Sequence, residues 1–417
     1  MISAKTETAD LCVIGAGAAG LATAIFTARA AGPLRIVCVD GARRIGAKIL
    51  VSGGSRCNVT NREVTERDFW GGSPRFVRNV LRAFPAGRAI AFFSELGVTL
   101  HEEEDGKLFP DSNTSRTVLN ALLDEAERLG ISVITGERVI ALDRHGESFV
   151  TTTAAGRLIR SPRAALATGG RSLPKTGSDG FGYELARRLG HRHVDTVPAL
   201  APLVFAGWEA LTGISQPAAM TLRTNGQTAV MLQGPMLWTH FGASGPVALN
   251  VSRHWHRAYA SGEPWEVSLN VCPGDTFESL DAWLRELEQI RPRARVATVL
   301  AARLPAAVAE RWVRTAGIGD ELSMAHLSRE QRHALVRALL DTTLPIEGSR
   351  GFAYAEVTAG GVPLDEVDSA TMESRVCPGL YLTGEILDVD GRLGGFNFQW
   401  AWSSAWVASQ AIGRAQS

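Results

Sequence analysis

Gly15-Ala16-Gly17-Ala18-Ala19-Gly20 lies between a short apolar run, Asp10-Leu11-Cys12-Val13-Ile14, and an alanine-rich segment over residues 21–31 with Leu and Ile at helical spacing. Glycines in this pattern act through the backbone. Gly15 permits a tight turn, Gly17 lets the main chain approach a pyrophosphate, and Gly20 allows close helix–strand packing. Ala18 and Ala19 lie just ahead of the helix, whose N–H groups and positive end face the phosphates. Asp40 follows Gly20 by twenty residues, at the end of the β-branched run Leu34-Arg35-Ile36-Val37-Cys38-Val39 and just before Gly41. A carboxylate there accepts from ribose hydroxyls and repels a 2′-phosphate, so FAD or NAD is the expected ligand. A lone GxGxxG is often only a packing turn. Strand, helix and acid in register make this one a dinucleotide site.

A second glycine-rich segment, Gly384-Glu385 and Gly391-Arg392-Leu393-Gly394-Gly395-Phe396-Asn397, precedes a helical pattern over residues 396–412. A plain NAD dehydrogenase has no need of it, except as a loop capping its last helix. Set against a flavin pyrimidine ring, that helix start stabilises the negative charge that develops on reduction, which points to FAD.

The elements that hold these residues read as an α/β protein. The chain has 417 residues, enough for two or three domains. A βαβ unit closes at Asp40, and the α/β rhythm continues to about residue 190, with helical patterns over 85–96 and 117–129. From 196 to about 272 the pattern alternates with period two, as in Trp265, Val267, Leu269 and Val271, which predicts an antiparallel sheet or barrel. Asp275 with Glu278 and Ser328 with Gln331 mark helix starts in the stretch that follows. We therefore expect a discontinuous FAD domain over 1–195 and 346–417, a β-rich, barrel-like insertion over 196–274 and a helical subdomain over 275–345.

The motifs resemble those of the YhiN/BaiN family of FAD-dependent flavoproteins, also labelled the aminoacetone oxidase family. The resemblance rests on Gly46-Ala47-Lys48 leading into Ser52-Gly53-Gly54-Ser55-Arg56-Cys57-Asn58-Val59-Thr60-Asn61, then Leu108-Phe109-Pro110 and Ala167-Thr168-Gly169-Gly170 with Thr176-Gly177-Ser178. Thr239-His240-Phe241-Gly242-Ala243-Ser244-Gly245-Pro246 and residues 384–399 complete it. It implies a two-dinucleotide-binding-domain flavoprotein fold with noncovalent FAD and an inserted barrel and helical piece. It further implies that Lys48, Ser52, Gly53, Arg56, Cys57 and Asn58 line the pyrophosphate-to-flavin side, and that Ala167, Thr168 and Gly169 lie near the adenine half. Val139 would offer a backbone contact to adenine, and Glu385, with Asp388 close by, would close the third FAD motif. Ser55 departs from the family, which usually has a third glycine there; a left-handed backbone at that position would strain a serine.

Members of the family are linked to reduction of enones and to amine oxidation. The reading is thus an FAD-dependent oxidoreductase acting on a small organic substrate, with NAD(P)H as a transient reductant. An amine oxidase of the aminoacetone type and a flavin-holding redox sensor without turnover are the alternatives. No second GxGxxG offers a separate nicotinamide domain. His240, in a Gly/Ser-rich turn, is a candidate proton donor set against an ordinary structural histidine. Cys57 is a candidate redox thiol, although no second cysteine lies near it in sequence to complete a dithiol. His191 with His193 and His254 with His256 lack ligands at a metal-binding spacing, so no metal is expected. Trp400, Trp402 and Trp406 read as core residues, and Glu102-Glu103-Glu104-Asp105 as a solvated acidic loop. Forty-three basic residues balance forty-three acidic ones without long runs, and the five cysteines are scattered. That composition argues for a soluble cytoplasmic protein without nucleic-acid or membrane partners.

Overall fold

A computed structural model describes residues 6–414. The chain divides into two compact units, Met1–Pro198 with Ala355–Ser417, and Ala199–Tyr354. The outermost residues of the expected FAD domain, 1–5 and 415–417, lie outside the described residues.

In the first unit, Leu11–Ile14 and Ile36–Asp40 are continuous apolar strands because the sheet is covered on both faces, and all but Asp40 are buried. Five parallel strands run in the order Leu380–Leu382, Arg163–Leu166, Leu11–Ile14, Ile36–Asp40 and Ser132–Thr135. From Leu11–Ile14 the chain first moves to one side, to Ile36–Asp40, and later returns on the other, at Arg163–Leu166. The order therefore reverses beside the first strand, and a crevice opens at the carboxyl ends, where Gly15, Asp40 and Ala167 follow their strands. Helix Ala18–Ala31 packs against the closing helix Phe396–Arg414, with Phe26 wedged among Phe84, Phe92 and Trp406.

Residues 139–161 carry three strands, Val139–His145, Ser148–Thr153 and Leu158–Ser161, which join Thr6–Thr8 in a four-stranded sheet. Only the first of these strands shows in the sequence. The inward face of Ser148–Thr153 is Phe149, Thr151 and Thr153, so threonine hides the apolar alternation.

The second unit holds a seven-stranded antiparallel sheet built on the long hairpin Ser215–Thr224 and Gln227–Thr239. Its end strands, Thr342–Thr343 and Gly348–Ser349, are separated by only residues 344–347. Such closely spaced ends are the curl a barrel-like sheet requires. Helix Gly245–Ser261 interrupts the stretch that the alternation marks as β-rich; it buries Val247, Val251, Trp255 and Ala258 at helical spacing. The sheet and the later helices share one core, in which the rings of Trp208, Trp238 and Trp312 meet. Ser328 and Gln331 form the expected capping box. The helix Phe277–Ile290 starts one residue later than Asp275 and Glu278 suggest: Thr276 caps it with Ser279, while Asp275 accepts from the Ser279 hydroxyl and pairs with Arg303. Among the described residues no helix is long and apolar enough to cross a membrane.

Candidate functional site

Each glycine of the first turn has its own constraint. At Gly15, φ is +101°, and a Cβ would lie 2.4 Å from the Ala167 carbonyl oxygen; at Gly20 it would lie 1.9 Å from the Gly15 carbonyl oxygen. Gly17 is different: a Cβ there would meet nothing within 4 Å. Gly15 and Gly20 are required by the fold itself, whereas Gly17 leaves an open cradle in front of the helix N-terminus. The Asp40 carboxylate closes the turn, accepting from Ala16 N–H at 2.7 Å and from Ala42 N–H at 2.8 Å. A carboxylate has about four acceptor positions, so two remain for ribose hydroxyls.

Gly15, Asp40, Gly41, Val139 and Thr168 line one cavity of about 600 Å³, a volume in the range of cofactor pockets. Its far wall was not read from the sequence. Arg138 pairs with Asp179 and lies 4.9 Å over the Phe181 ring, and all three line the cavity. Partial burial pushes the Asp179 carboxyl up, but Arg138 and the Phe181 N–H outweigh it and hold the group below its usual range. The available signal was position, since Asp179 directly follows Thr176-Gly177-Ser178.

The closing segment reaches the first helix: a Cβ on Gly384, at φ +75°, would lie 2.7 Å from the Ala19 Cβ. The closing helix pins Gly384 by both backbone groups, its carbonyl accepting from Trp400 Nε1 at 3.1 Å and its N–H donating to Ser404 Oγ at 3.0 Å. Trp402 likewise donates to the Val59 carbonyl. Glu385 meets Lys48 at 2.5 Å, although the two lie far apart in sequence. The Tyr183 hydroxyl, buried in the field of Glu385, has no hydrogen-bond partner among the described residues, and burial holds it protonated well above its usual range.

Between these segments lies a left-handed loop. The helix that starts at Ala47 ends where Ser52 turns extended; then Gly53, Gly54, Ser55 and Cys57 take φ of +54°, +67°, +68° and +64°. Ser55 thus bears the strain expected where the family carries glycine. Several side chains assigned to the cofactor are already engaged. Arg56 pairs with Glu103 and stacks on Phe109 at 4.1 Å, so Glu103 is not merely part of a solvated loop. Asn58 Oδ1 accepts from Leu108 N–H, Ser52 Oγ donates to the Ile49 carbonyl, and the Asn397 amide bonds Gly391 through both its ends. These bonds also fix the local backbone. Gly395, at φ +89°, approaches the Thr60 carbonyl so closely that a Cβ would lie 2.4 Å from it, which sets the start of the closing helix at the fully buried Phe396. Gly169, at φ +72°, follows Thr168 into the same crevice. Asp388 does not line the cavity beside Asp40 and instead lines another, of about 540 Å³, with Ser73 and Arg375.

Cys57 does not suit thiolate chemistry. It is fully buried, and burial pushes its thiol up to about 12 against the opposing pull of Ser52. A Cys57→Ala variant should keep flavin reduction within about threefold of wild type; a thiolate nucleophile would instead cost at least about 100-fold, as removal of other key catalytic groups does. His240 belongs to the second unit. It is exposed on the turn after Gln227–Thr239, its ring edge-on to Phe241 at 5.0 Å. His191 Nδ1 donates to the Glu366 carboxylate and its Nε2 bonds the Ser374 hydroxyl, at 2.8 Å each, which gives that buried histidine a structural role.

These residues suit FAD. Gly17 leaves the room a pyrophosphate needs, Asp40 keeps free acceptors beside the 600 Å³ cavity, and Tyr183, in the field of Glu385, is a donor without an acceptor among the described residues.

Residues 9–411 match the family described as "HI0933-like protein Rossmann domain". The chain is 33% identical to the ribosomal RNA dihydrouridine synthase of Escherichia coli K12 over 99% of its own length and 100% of that protein's. It is 35% identical to the 3-dehydro-bile acid delta(4,6)-reductase of Clostridium scindens, over 96% and 98% of the two chains. Among solved structures, the 3-ketosteroid-delta4-(5alpha)-dehydrogenase of Rhodococcus jostii superposes with a TM-score of 0.50 at 14% identity, over 99% of this chain and 98% of that one. A quinol-fumarate reductase reaches 0.52 at 18% identity, over 98% of this chain and 71% of that one.

Proposed function

This chain belongs to the HI0933-like Rossmann-domain family, and from that premise we propose that it is an FAD-dependent reductase of carbon–carbon double bonds conjugated to a carbonyl, drawing electrons from NAD(P)H. The supporting observation is a reaction shared by two differently named relatives that align along nearly the whole chain. Dihydrouridine is uridine with the double bond beside a ring carbonyl saturated, and a delta(4,6)-reductase of a 3-dehydro acid acts on double bonds in conjugation with a ketone. Both products arise by adding a hydride and a proton across an activated double bond.

FAD, when bound, supplies hydride transfer. The protein's part is to hold and polarise. Helix Ala18–Ala31 would present its N–H groups to the pyrophosphate, Asp40 would hold the ribose, and the start of helix Phe396–Arg414 would stabilise negative charge on the ring system. The proton that completes saturation comes from solvent, and His240, an exposed imidazole, is the candidate relay on residue type alone. The preferred substrate is a small enone, because the chain's formal net charge of zero does not favour a polyanion. The relative named for ribosomal RNA favours a second reading, in which the acceptor is a uridine in that RNA.

Anaerobic titration tests the proposal. NADH or NADPH should bleach the bound flavin, and a 3-oxo-4-ene steroid should restore its colour. His240→Gln should slow the second step at least about tenfold and leave the first unchanged. Recolouring by unmodified ribosomal RNA but not by the enone would support the second reading. Bleaching by aminoacetone with no response to NAD(P)H would overturn both in favour of an amine oxidase.

A further inference from the structure

Lys48 follows Ala47 at the start of its helix, where the family resemblance sets it among the residues along the pyrophosphate-to-flavin side. Its ammonium group is committed elsewhere. Nζ donates to Glu385 Oε2 at 2.5 Å and to Ser172 Oγ at 2.7 Å. Ser172 Oγ donates in turn to Glu385 Oε1 at 2.9 Å, and the same oxygen accepts from Thr358 N–H, also at 2.9 Å. Lysine, serine and glutamate thus form a closed ring, and the Thr358 amide holds it from a fourth segment. The Lys48 and Glu385 side chains are only 26% and 19% exposed, so solvent does little to screen the pair.

We propose that Lys48 is a positioning residue: it neutralises and aims Glu385 so that the cleft accepts a cofactor carrying an anionic pyrophosphate, and it is not itself the phosphate-binding cation. The argument is one of sign. Without Lys48, Glu385 would remain as a poorly solvated carboxylate next to Gly384, which packs on the first helix beside the turn that receives an anion, and it would stay fixed there by Ser172 and Thr358. A lone charge left by removal of its partner is far worse for binding than the loss of both charges together. Glu385 sits next to Gly384, which touches the first helix, so a displaced Glu385 also disturbs the approach of the closing segment to Ala19.

The proposal rests on the reading of FAD as cofactor, and FAD titration of the flavin-stripped full chain tests the two separately. Failure of the wild-type protein to take up FAD would overturn the cofactor reading. The role of Lys48 is decided by comparing variants. Lys48→Met should weaken FAD binding about 30-fold or more, the usual result of stranding one member of a desolvated pair. Lys48→Met combined with Glu385→Gln should recover to within about fivefold of wild type, since the amide keeps its acceptor for Thr358 and carries no charge. Lys48→Arg should also bind nearly normally. If Lys48→Met does not fold, Lys48→Gln repeats the test, since it too removes the cation and leaves Glu385 charged, and it should weaken FAD binding to a similar degree. A double variant as weak as the Lys48 single variant would overturn the proposal and make Lys48 a direct ligand of the cofactor.

Discussion

Gly17→Val is expected to fold with an unchanged melting temperature in the flavin-free state and to bind FAD about 100-fold more weakly. The Cβ would enter space that no protein atom within 4 Å contests, so nothing in the cofactor-free chain has to move. The same atoms occupy the cradle in front of the helix N-terminus, where the pyrophosphate must come close to the main chain. Overpacking by a few carbons costs roughly 1–3 kcal/mol, and each 1.4 kcal/mol is a factor of ten in binding. Gly20→Val should behave in the opposite way. Its Cβ would sit 1.9 Å from the Gly15 carbonyl, a backbone atom that can move only if the first turn opens. The flavin-free variant should then melt lower, by on the order of 5–10 °C if the strain reaches about 3 kcal/mol. Thermal melts with and without FAD check both. Equal destabilisation by the two variants would mean that Gly17 is part of the packing and not of the cradle.

The contrast explains why much of the cofactor cleft was legible. Turn glycines, the strand-end acid and the glycine segment before the last helix are backbone requirements, and such requirements leave residue types at fixed spacings. The family resemblance extends along the chain for the same reason, and residues 9–411 match one family. Side-chain roles were less accessible. Asn58 and Asn397 stand in cofactor motifs, yet their amides are used by Leu108 and Gly391, and that depends on where the neighbouring loops fall. The Lys48–Glu385 pair and the Arg138–Asp179 wall join residues that only the completed sheet brings together. Cys57 looked like a redox thiol because position is visible in sequence and burial is not. Helix Gly245–Ser261 escaped notice because histidines and arginines punctuate its apolar stripe and Gly245-Pro246 reads as a turn.

Asp40 gives the second large effect, and here the turn and the cofactor draw on one carboxylate. Both of its oxygens accept backbone N–H groups, and the Ala16 amide it serves belongs to a fully buried residue. Asp40→Ala strands that amide, at about 1–3 kcal/mol, and removes hydrogen bonds to a charged acceptor worth roughly 1.5–3 kcal/mol each. The flavin-free variant should therefore melt lower than wild type. If the carboxylate also holds the ribose, FAD binding should weaken about tenfold or more beyond any effect of the looser turn, and the rise in melting temperature on adding FAD should shrink. Asp40→Asn separates the two roles, because its single carbonyl oxygen can serve Ala16 or Ala42 but not both, and its NH₂ group cannot accept. It should lie between wild type and alanine in flavin-free stability while binding FAD nearly as poorly as alanine. The measurement is the pair of melting curves for each variant together with FAD titration. A variant destabilised without FAD, yet gaining as many degrees from FAD as wild type, would confine Asp40 to closing the turn and leave the ribose to the Arg138–Asp179 side of the cavity.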